Sequence, residues 1–97
     1  MKLAAAITVA RLQLRSGQVD TGKKSLDSVG SEAKRLGIPG LQFEARLAEG
    51  EIGLFGGDKR SALSSLSALQ RDAAKKGFKQ IEARAKSVAR QISGESI

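Results

Sequence analysis

Residues 25–37, Ser25-Leu26-Asp27-Ser28-Val29-Gly30-Ser31-Glu32-Ala33-Lys34-Arg35-Leu36-Gly37, return forty positions later as Ser65-Leu66-Ser67-Ala68-Leu69-Gln70-Arg71-Asp72-Ala73-Ala74-Lys75-Lys76-Gly77. The two copies agree where a helix would bury side chains, at Leu26/Leu66, Val29/Leu69 and Ala33/Ala73, and differ between them. That spacing marks one face of an amphipathic helix. Both copies close in the same way, with cations and then glycine. Cations favour the negative end of a helix, and glycine accepts the left-handed conformation that stops it.

The register extends in both directions. Leu14 pairs with Leu54, Gly17 with Gly57, Ala45 with Ala85 and Ile52 with Ile92. Self-similarity at a fixed period is the signature of a repeat architecture. Pro39 follows the first stop signal, where it can begin a new helix. Asp58 follows Gly56-Gly57 and is placed to cap a helix N-terminus, and Asp20 is placed to do the same after Gly17. No run alternates with period two, so no strand is predicted. The reading is five helices near 3–15, 20–36, 40–55, 58–76 and 78–92. Short connections make consecutive helices antiparallel hairpins, and each hairpin leaves an apolar face for the next to cover. The prediction is an all-α, right-handed solenoid in one domain over 1–92. Its units lie near 1–37 and 41–77, with a final helix at 78–92 and a frayed tail at 93–97.

Gly50, Gly57, Asp58, Ala62 and Leu66 fall at the spacing of small, turn, small and large positions in a helical hairpin, and with them the second unit resembles a tetratricopeptide repeat (TPR). The first unit matches through Ala10, Gly22 and Leu26. Gly53 stands where that family usually has an aromatic residue, Leu69 where it usually has alanine, and the closing proline is missing. The forty-residue period exceeds the usual ~34. Longer repeats ending like Glu32-Ala33-Lys34-Arg35-Leu36-Gly37 are similar to those of large bacterial regulators of the maltose-activator type. The resemblance implies a protein or peptide partner and a concave groove lined by the first helix of each hairpin. Mapped position by position, that groove takes Thr8, Arg11 and Arg15, then Glu44, Glu51 and Phe55, then Arg84, Ser87 and Gln91. Arginine on one wall and glutamate on the next suit an extended peptide. The Lys and Asn pattern with which some members clamp a terminal carboxylate is absent.

Composition narrows the function. The 97 residues include 17 Lys and Arg against 10 Asp and Glu, a net charge of +7, with no Cys, His, Trp or Tyr. Thiol nucleophiles, histidine bases, disulfides and Cys/His metal sites are therefore excluded, and neither an enzyme nor a cofactor site is expected. Gly17-Gln18-Val19-Asp20-Thr21-Gly22-Lys23 approaches a phosphate-binding loop, but Lys24 replaces the hydroxyl residue and no strand precedes it. Glu44, Glu49 and Glu51, at spacings of five and two, read as solvated charges near Arg46 and Arg84, without a tight carboxyl pair.

Two surfaces remain. Lys23, Lys24, Lys34 and Arg35 lie on the second helix, and Lys59, Arg60, Arg71, Lys75 and Lys76 on the fourth. Such a basic surface could follow a phosphate backbone or an anionic surface. Only Phe43, Phe55 and Phe78 are aromatic, so stacking platforms for bases are lacking, and nucleic acid ranks below protein as a partner. The first helix is apolar nearly all round, from Leu3 to Leu14, as a helix covered on several sides would be. A self-association face is predicted at Leu3, Ile7 and Ala10, covered by a second copy or by a preceding repeat of a longer protein. Lys2 before Leu3–Ala10 has the outline of a secretion signal, but Arg11 and Arg15 continue the helical pattern through it. No run reaches the ~20 residues of a membrane span. A cytoplasmic protein is expected.

Overall fold

A computed structural model describes residues 2–55 and 58–94, with side chains from Ala5 onward. Five α-helices follow one another: α1 (Lys2–Arg15), α2 (Val19–Leu36), α3 (Pro39–Gly50), α4 (Lys59–Lys76) and α5 (Lys79–Ser93). A short 3₁₀ turn, Glu51–Leu54, continues α3. No strand occurs among the described residues.

The repeated stop signals have the same geometry. Gly37 and Gly77 are left-handed, with φ of 70° and 80°, a region costly for any residue carrying a Cβ. Beyond them the Ile38 and Phe78 amides donate to the Ala33 and Ala73 carbonyls, both at 2.9 Å. This closure satisfies carbonyls that the helix end leaves free. Pro39 opens α3 in the position where its missing N–H costs nothing. Asp58 caps α4 as predicted, accepting from the Arg60 amide at 3.0 Å and from the Ser61 hydroxyl at 3.0 Å. Asp20 does not cap α2. Gln18 occupies that position without a side-chain bond, and Asp20 sits in the first turn, where its charge complements the helix dipole.

The predicted third helix, 40–55, is shorter than its pattern implied because of Gly50 and Gly53. A Cβ on Gly50 would run into the Leu66 side chain, and one on Gly53 would lie 2.7 Å from Ile92 and 2.8 Å from Ala62. Bare backbone is needed there, and two glycines weaken the α-helix enough for it to tighten into 3₁₀. At the other end of the chain, Ser93 is the last residue of α5 and Gly94 its left-handed cap, so the helix runs one residue past the predicted end at 92. Positions 95–97 of that tail, like Gly56 and Gly57 of the predicted turn, lie outside the described residues.

Apolar side chains gather in two clusters that meet on α3. Ile7, Ala10 and Leu14 of α1 join Leu26 and Val29 of α2 against Ala45 and Ala48. Phe43 and Leu47, on another face of α3, join Leu66 and Leu69 of α4 and Ile81, Ala85 and Ile92 of α5. Phe43 and Phe78 meet edge to face at 5.0 Å between ring centres. Each helix touches the next, and α3 also touches α1 and α5. The result is a slab of 38 × 32 × 18 Å.

The predicted self-association face is corrected by this core. Ile7 and Ala10 are 4% and 0% exposed inside the chain's own cluster, so neither is free to meet a second copy. The apolar residues that α1 turns outward are Val9 and Leu12, 51% and 58% exposed. The Leu3 side chain lies outside the described residues. Among those residues no helix is long and apolar enough to cross a membrane.

Candidate functional site

Contacts of α3 with both α1 and α5 bring three helices onto one face, and opposite charges meet across it. Arg84 Nη1 donates to Glu44 Oε1 at 3.0 Å, and Arg11 Nε donates to Glu51 Oε1 at 2.9 Å. Arg11 Nη2 faces Glu44 Oε2 at 3.7 Å and is buried without a hydrogen-bond acceptor. The order Arg84, Glu44, Arg11, Glu51 thus ties α5 to α3 and α3 to α1. Glu44, Arg11 and Glu51 are half-buried, where attraction is screened less than on the open surface.

Two clefts flank this charged run. The first, of about 550 Å³, lies between the starts of α3 and α5, with Ile38, Leu41, Phe78 and Ile81 as its apolar lining and Glu44 and Arg84 at its edge. The second, of about 340 Å³, is lined by Arg11, Arg15, Glu51, Leu54, Phe55, Arg84, Val88 and Gln91. Seven of the nine predicted groove residues therefore meet on this face. Thr8 and Ser87 are exposed on α1 and α5 but line neither cleft. Sequence reasoning missed Leu54 and Val88 of the second cleft and, of the first, every lining residue but Glu44 and Arg84. The signal for the first cleft was available, since Ile38, Leu41 and Glu44 stand forty positions before Phe78, Ile81 and Arg84.

The acidic group divides differently from its predicted reading. Glu44 and Glu51 belong to the ion-pair run. Glu49 turns toward α2, where it lines one cleft with Asp27. Burial, then the charge and hydrogen bond of Asp27, push the Glu49 carboxyl up to about 7, with Lys23 and Arg46 opposing. A carboxyl pair is therefore present, between helices, where spacing along one helix could not reveal it. Arg46 itself donates to Asp72 at 2.9 Å. Among the described residues, no group of three or more acidic side chains could hold a metal ion.

All nine predicted basic-surface residues, Lys23, Lys24, Lys34, Arg35, Lys59, Arg60, Arg71, Lys75 and Lys76, are exposed on α2 and α4. Arg35 is tied to Glu32. Of the aromatic rings, Phe43 is buried and Phe55 and Phe78 line the clefts described above.

No protein-family model, curated protein or solved structure matches this chain.

Proposed function

We propose that the chain is a non-catalytic, TPR-like protein-interaction module that holds a segment of a partner protein against α1, α3 and α5. In this reading α1–α2 and α3–α4 are antiparallel hairpins stacked in a right-handed solenoid, with α5 closing the stack. The matching closures at Gly37 and Gly77 support it, as does the burial of Leu26, Ala33, Leu66 and Ala73 at equivalent positions. The observation that carries the function is the face built by Arg84, Glu44, Arg11 and Glu51 between two clefts. Polar groups fixed by one another beside partly apolar clefts are the ordinary composition of a recognition site. The protein belongs in the cytoplasm on this reading.

Selection of random peptides on the full chain tests the proposal. Enrichment should disappear when Gln91→Trp fills the second cleft and Gln80→Trp the first. Enrichment that ignores both changes would place binding elsewhere. The basic faces of α2 and α4 offer the competing reading, binding of nucleic acid or an anionic surface. Affinity for an RNA oligomer that falls linearly with log salt, and is lost in Lys75→Glu/Lys76→Glu, would favour it.

A further inference from the structure

The two clefts belong to one groove. Ile81, Arg84, Val88 and Gln91 follow at spacings of three, four and three, which is a single stripe along α5. Ile81 lines the first cleft, Val88 and Gln91 the second, and Arg84 lines both. Arg84 is also held by Glu44, so a charged saddle stands between the apolar first cleft and the second, where Leu54, Phe55 and Val88 lie among charged side chains.

The dimensions set a period for whatever lies there. Ile81 and Val88 are seven residues apart, roughly 10 Å along a helix rising 1.5 Å per residue. A polyproline-II chain rises ~3.1 Å per residue with three residues per turn, so side chains three positions apart project the same way about 9 Å apart. A β-strand would turn every third side chain to the opposite face.

Charge sets the ends. Inside the saddle, Arg84, Glu44, Arg11 and Glu51 compensate one another. Arg15, in the second cleft, and Lys79, in the first, form no ion pair among the described residues. Unbalanced cations therefore stand at both ends of a neutral centre. The net charge of +7 adds a long-range attraction for anions.

Given the reading of this face as a protein-binding groove, we infer that it takes a polyproline-II segment with two large apolar side chains three positions apart, flanked by carboxylates. The apolar side chains enter the two clefts and cross the saddle by two intervening residues. The flanking carboxylates face Lys79 and Arg15.

Fluorescence anisotropy on the full chain tests this with dye-labelled decapeptides of the pattern acidic, apolar, two serines, apolar, acidic. Saturable binding is expected, weakened at least tenfold when the apolar spacing becomes two or four. Lysine flanks should also weaken it, and Arg15→Glu/Lys79→Glu should reverse that preference. Both sites are exposed, so circular dichroism should show the same helix content in the variant. Equal binding at every spacing, or a preference for lysine flanks, overturns the inference. If selected peptides of another pattern bind and Gln91→Trp blocks them, the groove reading stands and this specificity falls. If none binds while an RNA oligomer does, both fall.

Discussion

Arg11 and Glu51, forty positions apart, form a 2.9 Å ion pair that joins the first helix to the turn closing the third. Arg84 and Glu44 are also forty apart and pair at 3.0 Å, with the signs reversed along the chain. The period that repeats the core thus places complementary charges on neighbouring helices. Stability and the proposed site share these contacts.

Removing both partners of the first pair should cost less than the sum of removing each. Glu51→Gln leaves the half-buried Arg11 guanidinium with only Glu44 near it. A double-mutant cycle over Arg11→Gln and Glu51→Gln should show a coupling of about 1 kcal/mol in urea unfolding. Strict additivity would mean that the pair orders the surface without stabilising it.

Gly50→Ala should destabilise the chain by about 1–3 kcal/mol, because its methyl group meets the buried Leu66 side chain. Gly30→Ala is the control. A Cβ there lies 3.9 Å from Ala45, an ordinary contact, inside helix α2. It should gain about 0.4–1 kcal/mol by limiting the unfolded chain. Thermal unfolding separates the two, and equal melting temperatures would remove the close-approach account.

Glu49 predicts a pH dependence of definite sign. Its folded carboxyl holds a proton up to about pH 7, against 4.5 for the free group. The contribution is therefore intact below about 4.5 and is lost as pH rises through 7. Because Glu49 is only half-buried, solvent screening reduces the effect to about 1 kcal/mol. Glu49→Gln should match the parent at pH 5 and melt roughly 4–8 °C higher at pH 8. A variant that tracks the parent at both pH values would show that the pair does not share a proton.

The exposed face of α1 should tolerate charge where its buried face does not. Leu12→Lys should change stability by less than about 0.5 kcal/mol. Ile7→Asp places a carboxylate in the core and should abolish the cooperative transition. Light scattering on Leu12→Lys adds a second readout: loss of a dimer present in the parent would identify Val9 and Leu12 as its contact.

Much of the fold was legible because its signals are local. Gly37 and Gly77 announce their own backbone conformation, Asp58 its own cap, and Leu26, Val29 and Ala33 their own buried stripe. Asp20 misled because an acidic residue suits both a cap and a first turn, and Gln18 gave no sign of taking the earlier position. The charges of the Arg84, Glu44, Arg11 and Glu51 run were named through the TPR resemblance, yet Leu54 and Val88 were not, since an apolar residue at a helical period reads as core. Burial of Ile7 and Ala10 depends on which of several apolar faces α2 and α3 cover. The contact of Glu49 with Asp27 joins two helices, and no pattern within either one encodes it.

The meeting of two apolar clusters on α3 has a consequence for how the molecule comes apart. Ile7, Leu14, Leu26 and Val29 hold the N-terminal cluster, while Leu66, Leu69, Ile81 and Ile92 hold the other. Among the described residues, only the α3 segment contributes side chains to both. Amide hydrogen exchange should therefore resolve two opening units rather than one. The amides of α1 and α2 should exchange by detaching from Ala45 and Ala48 while α4 and α5 stay closed. The slowest amides should lie on α4, whose Leu66 and Leu69 are sealed from solvent.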